Sequence, residues 1–194
     1  MLNRSKRPSY LFLSLVTGLP ILLLIGYALW ASRGERKYPD RCAANLRYLG
    51  YGLIAYATEH GNVLPPHFGA LFDKYVPDLD SFTCPSTDTP TAKDIPPSDF
   101  HLDPPLYANL PRDKVDYFYL SGWTLGDPPQ TVVAFDVPGN HGAKRVHVLF
   151  LSTDVSWITT GELRSMLARQ IEEAQHQHRR ISFLRGSASE DPSW

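Results

Sequence analysis

The stretch YLFLSLVTGLPILLLIGYALWA, residues 10–31, carries no Asp, Glu, Lys or Arg, and the charge-free run extends from Pro8 to Ser32. A helix of that length rises about 33 Å at roughly 1.5 Å per residue, enough to cross the hydrocarbon core of a bilayer. The sequence therefore predicts a transmembrane helix over 10–31, with Tyr10, Tyr27 and Trp30 near its ends, where interfacial aromatics belong, and a tolerated bend at Pro20. A signal peptide has a shorter apolar core and a small-x-small cleavage site, so this anchor is expected to be retained. What remains of a 194-residue chain suffices for one compact domain.

Flanking charge does not orient the span, because Arg4, Lys6 and Arg7 before it are matched by Arg33, Arg36, Lys37 and Arg41 after it. The two cysteines, Cys42 and Cys84, fit neither a C-x-x-C redox motif nor a zinc pattern. They suit a single disulfide in an oxidising space, the alternative being two free, buried thiols. This favours a cytoplasmic N-terminus over residues 1–9, a linker over 32–39, an exported domain over 40–184 and a flexible tail over 185–194. A formal net charge of −1 provides no basic surface for a phosphate backbone, so nucleic acid is not an expected partner.

Within the domain, Asp40 is placed to cap a helix in which Cys42, Leu46, Leu49, Leu53 and Ala57 recur at spacings of three and four. His60-Gly61 and then Pro65-Pro66 end it. A short helix is expected around Leu71 to Tyr75, and a long proline-rich loop from Cys84 to Pro111. Four runs rich in β-branched and aromatic residues, 115–123, 130–137, 145–152 and 155–159, predict a meander of three or four antiparallel strands, because the turns between them are too short for parallel crossovers. Thr159 with Glu162 has the form of a capping box, opening a final helix whose face holds Leu163, Leu167, Ile171, Ala174 and His178. The fold class expected is α+β.

The segments CAANLRYLGYGLIAYATEHGNVLPP, FTCPS at 82–86, YFYLSGW and NHGAKRVHVLFLSTDVSWIT at 140–159 together resemble the bacterial prepilin-like and pseudopilin-like proteins, of the type found as the major pseudopilin in type II secretion. Those proteins carry an N-terminal membrane helix, a C-A-x-N-L-x-x-L/I-G segment, an F-x-C-P-S segment and a His-x9-Asp-Gly signature. The resemblance covers roughly residues 40–160. It implies a long N-terminal helix whose outer half packs on an antiparallel sheet, an exported domain, and partners among envelope secretion or pilus-like proteins. In the signature His141 stands, but Ser152-Thr153 occupy the Asp-Gly position and the spacing is one residue longer. Neither apolar glycine of the span, Gly18 or Gly26, is followed by the glutamate of a prepilin peptidase site, so processing and filament membership are not implied.

No nucleophile elbow, phosphate loop or metal-binding histidine spacing is present. Asp136 and His141 flank a Val-Pro-Gly-Asn turn and are the best local candidates for a cation. The preferred reading has Asp136 capping the turn and His141 bonding backbone, with no metal or cofactor. Architectural roles are assigned to Cys42, Cys84, Leu46, Leu49 and Leu53, and to Asn45 a hydrogen-bonding role at the helix–sheet junction. The sequence thus reads as a non-enzymatic, single-pass protein of the inner membrane, structural or assembly-related. An anchored binding module using the loops at 85–111 is the alternative, and a hydrolase built on His141 with Asp136 or Asp154 is the third reading.

Overall fold

The computed structural model describes residues 10–87, 110, 114–141, 144–185 and 188–189, with side chains left undescribed at 10–21, 28–39 and 188–189. Residues 1–37 and Tyr38–Trp194 form separate units. Among the described residues no helix is long and apolar enough to cross a membrane. Most side chains of the expected span, 10–31, lie outside the described set; those from Leu22 to Tyr27 are exposed. The proline-rich loop invoked for ligand binding falls mostly on 88–109, also outside the described residues.

The first helix, α1, is assigned from Tyr10–Glu59. It includes residues 32–39, expected as a linker, and Asp40 lies within it rather than capping it. In the unit from Tyr38, the predicted stripe is buried: Cys42, Leu46, Leu49, Leu53 and Ala57 are at most 1 % exposed. Full burial of a leucine side chain is worth roughly 1.5–3 kcal/mol, so this face anchors the core. The helix ends as expected. Gly61 and Asn62 adopt left-handed backbone, and the Asn62 amide returns to the Ala57 carbonyl at 2.8 Å.

Two short 3-10 turns, Phe68–Leu71 and Leu79–Phe82, replace the helix expected at 71–75. Asp73 takes a left-handed conformation that halts any helix there, and Phe72 instead bridges Val76. Val76 packs where α1 has no side chain: a Cβ on Gly52 would lie 2.4 Å from Val76 Cγ2.

The strands are β1 (Tyr117–Ser121), β2 (Val132–Asp136), β3 (Arg145–Phe150), β4 (Val155–Thr159), β5 (Ser182–Arg185) and β6 (Ala188–Ser189). They form one antiparallel sheet in the order β4-β3-β2-β1-β5-β6. The first four are the predicted meander. The last two are not among the predicted runs: the chain crosses back along α2 (Thr160–His176) and adds β5 to the free edge of β1. Four consecutive buried residues in β1 and five in β2 reflect a sheet covered on both faces.

Leu149 faces α1, where its Cδ1 would be 2.9 Å from a Cβ on Gly50. By alternation Val148, with its partner Ser156, faces the α2 side. Helix α2 opens on the predicted capping box, with Thr159 accepting from the Glu162 amide and Glu162 from the Thr159 amide. Leu163, Leu167 and Ala174 are buried as expected, but His178 lies beyond the helix with left-handed backbone. Gln170 accepts from the Val132 amide and donates to the Val132 carbonyl, both at 2.8 Å, tying α2 to β2 at its register shift.

Candidate functional site

Antiparallel pairing sets the site. The β2–β3 register places Phe135 opposite Val148, so Asp136 stands opposite His147 at the end of the hairpin. Asp136 Oδ2 accepts from the His147 amide at 2.9 Å and lies 2.7 Å from His147 Nδ1. The turn that follows returns His141 over the same carboxylate, with Nε2 at 3.2 Å from Oδ2. The side chain of Asp136 is fully buried and those of His141 and His147 nearly so. Trp157, paired with His147 across β3–β4, closes the cluster: its ring lies 4.3 Å from His147 and 5.4 Å from His141, centre to centre.

The disulfide borders this cluster. Cys42 and Cys84 are bonded, with Cα atoms 5.2 Å apart, and His141 Nε2 lies 3.3 Å from Cys84 Sγ. Burial raises the Asp136 carboxyl, but hydrogen bonds from His141 and then His147 outweigh it and hold the group below the ordinary carboxylate value. Asp136 Oδ1, also buried, has no hydrogen-bond partner among the described residues. A second buried aspartate, Asp116, differs. Its carboxylate accepts from the Cys84 amide at 2.8 Å and the Thr87 hydroxyl at 2.6 Å, and has Arg185 at 3.9 Å.

These contacts correct the sequence reading of the turn. Among the described residues Asp136 does not cap it and His141 bonds no backbone group; both side chains turn inward. The turn is held by Asn140, whose amide bonds the Val137 carbonyl at 3.1 Å and whose side chain donates to the Asp116 carbonyl at 3.1 Å. Asp154 lies elsewhere, in the exposed β3–β4 turn, accepting from the Ser152 hydroxyl at 2.9 Å. Thr153 beside it has a φ of 71°, so a β-branched residue sits in left-handed backbone.

Asn45 reaches the carbonyls of Thr83 at 2.9 Å and Asp80 at 3.3 Å. It therefore joins α1 to the turn before Cys84 rather than to the sheet directly. Tyr117 of β1 donates to the same Thr83 carbonyl at 3.2 Å. Burial, with the Asp136 charge second, raises the Tyr117 hydroxyl well above the usual tyrosine value, a shift that the Asn45 hydrogen bond opposes. Sequence reasoning missed His147. Pairing the two predicted strands about the 138–141 turn puts residue 147 opposite residue 136, and that register is the signal that identifies it.

The arrangement holds a carboxylate and imidazoles at ligand distance from one another. His141 Nε2 faces Asp136 Oδ2 and a disulfide sulfur, which has no proton to give. Comparison with known proteins yields no match among family models, curated proteins or solved structures.

Proposed function

We propose that this chain is a non-enzymatic, single-pass inner-membrane protein whose pilin-like domain lies outside the membrane and serves a structural or assembly role beside secretion or pilus-like proteins of a bacterial envelope. The observation that carries the reading is the burial of Cys42–Ala57 of α1 as the spine of an α+β core, tied by the Cys42–Cys84 bond to the turn that follows. That is the arrangement which the resemblance to pseudopilins implies. Two further features support it. A disulfide suits an oxidising compartment. Leu22, Leu23, Leu24, Ile25 and Tyr27 are each more than half exposed, so these side chains require an apolar solvent or partner.

Topology and partners test it together. Protease added to intact spheroplasts should degrade the domain from Tyr38 onward while leaving an anchored N-terminal fragment in the membrane. Crosslinking in the native membrane should attach the chain to envelope assembly proteins. A domain that is digested only after lysis, or a chain released by carbonate washing, contradicts the proposal.

A further inference from the structure

The buried Asp136–His141–His147 cluster has no role in that architectural reading, and its chemistry is not that of an ordinary core. Asp136 is fully buried, yet among the described residues no Lys or Arg reaches it. A buried carboxylate needs a compensating cation or a full set of hydrogen bonds. Asp116, the residue before β1, has hydrogen bonds from Cys84 and Thr87 and Arg185 at 3.9 Å. Asp136 instead concentrates its contacts on Oδ2, and among the described residues Oδ1 is buried and without a hydrogen-bond partner.

We infer that Asp136, His141 and His147 form a binding site for one divalent transition-metal ion of the zinc type, with the disulfide intact. The donor atoms, one carboxylate oxygen and two imidazole nitrogens, all lie within 4.8 Å of one another. Ligand atoms around a tetrahedral zinc ion bonded at about 2.0–2.1 Å are roughly 3.3 Å apart. Asp136 Oδ2 and His141 Nε2 are already separated by 3.2 Å. His147 Nδ1, at 2.7 Å from Oδ2, needs to withdraw by about half an ångström once an ion replaces the shared proton. Each imidazole then keeps its proton on the other ring nitrogen. Asp136 Oδ1, buried and with no hydrogen-bond partner among the described residues, is a second oxygen of the same carboxylate.

Two imidazoles and one carboxylate suit zinc, cobalt, nickel or copper better than magnesium or calcium, which prefer all-oxygen sets. A second donor set, Cys42, Cys84 and His141, shares the same imidazole. It is not available in the oxidised chain, because the two sulfurs are bonded to each other and the metal ligand is the thiolate. The disulfide therefore acts as a fixed wall beside His141, and the ion is held by nitrogen and oxygen alone.

The test uses the untagged full chain in detergent, stripped with chelator and kept free of reductant. Cobalt is the spectroscopic probe, with zinc as competitor. The expected result is one bound equivalent, visible d–d bands without a thiolate charge-transfer band, and a zinc-dependent rise in melting temperature. H141Q and H147Q should each weaken zinc binding by at least about tenfold, with circular dichroism reporting whether the variants fold. Wild-type protein that takes up no ion overturns the inference without reference to the variants. So does binding that both variants retain, which puts the ion elsewhere. So does binding that appears only after reduction and with a thiolate band, which assigns it to the cysteines.

Discussion

Replacing Gly52 by alanine tests the packing of α1 with unusual directness, because helix propensity and tertiary contact predict opposite signs. In a helix interior, Gly→Ala stabilises by about 0.8–1.0 kcal/mol. At this position the new Cβ would lie 2.4 Å from Val76 Cγ2, with Leu71 Cδ1 at 3.6 Å and Tyr75 Cβ at 3.8 Å behind it. Val76 is fully buried, and its branched side chain has few rotamers with which to retreat. Overpacking of this kind costs typically 1–3 kcal/mol, so the net change should be a destabilisation of up to about 2 kcal/mol. Gly161, in the first turn of α2, has only the Thr159 hydroxyl at 4.0 Å and is the control. There the same substitution should stabilise by about 0.5–1 kcal/mol. Urea unfolding of both variants, followed by circular dichroism, measures the contrast. Adding Val76→Ala to Gly52→Ala should recover part of the loss, giving a coupling energy of about 1 kcal/mol or more. If Gly52→Ala stabilises as Gly161→Ala does, α1 does not press on Val76 and the packing described here is wrong.

Reduction of the Cys42–Cys84 bond, whose partners are 42 residues apart, should lower stability by about 4 kcal/mol in the loop-entropy account, measured as a shift of the urea midpoint with and without reductant; an unchanged midpoint counts against a structural disulfide. Thr153→Gly should stabilise by about 1 kcal/mol, because it removes a β-branched residue from left-handed backbone, and thermal unfolding would read the gain. The Asp127 carboxyl is raised by burial but lowered more by Arg179 and by the amide and hydroxyl of Thr124, so its folded value lies below 3.8. Over that acidic window the unfolded chain binds more protons, so the stability this group contributes is complete above the unfolded value and is lost as pH falls through the folded one. Asp127→Asn should flatten the acid limb of the stability profile in that window, and an unaltered limb would mean that the Arg179 pairing contributes nothing.

Much of this architecture is legible in the chain because its signals are periodic and local. The stripe Cys42, Leu46, Leu49, Leu53 and Ala57 repeats over four turns and is the buried face. Thr159 and Glu162 sit at capping-box spacing and form one. The four strand-like runs are separated by short turns, and each pairs antiparallel with the next. What the sequence hid depends on tertiary context. Strand β5 is four residues long, and its Arg185 makes it read as a polar terminus. It exists because β1 offers an open edge, and because the Arg185 side chain donates to the Val115 carbonyl at 2.8 Å. Residues 32–39, expected as a linker, are assigned to α1, and the boundary between the two units falls within them. Asp136 and His141 were visible as neighbours of one turn, whereas His147 joins them only through hairpin register. Their inward orientation follows from what covers that end of the sheet, Trp157 and the disulfide, and no local pattern encodes it.

The account rests on residues 42–57 being the covered spine of the domain, and hydrogen exchange on the full oxidised chain measures this most directly. Amides from Leu46 to Leu53 should exchange as slowly as those of β1 and β2, opening only with the global unfolding of the domain. Exchange in that segment as fast as in the exposed turn at 126–130 would show a helix fraying in solvent, and would contradict the fold and the function proposed from it.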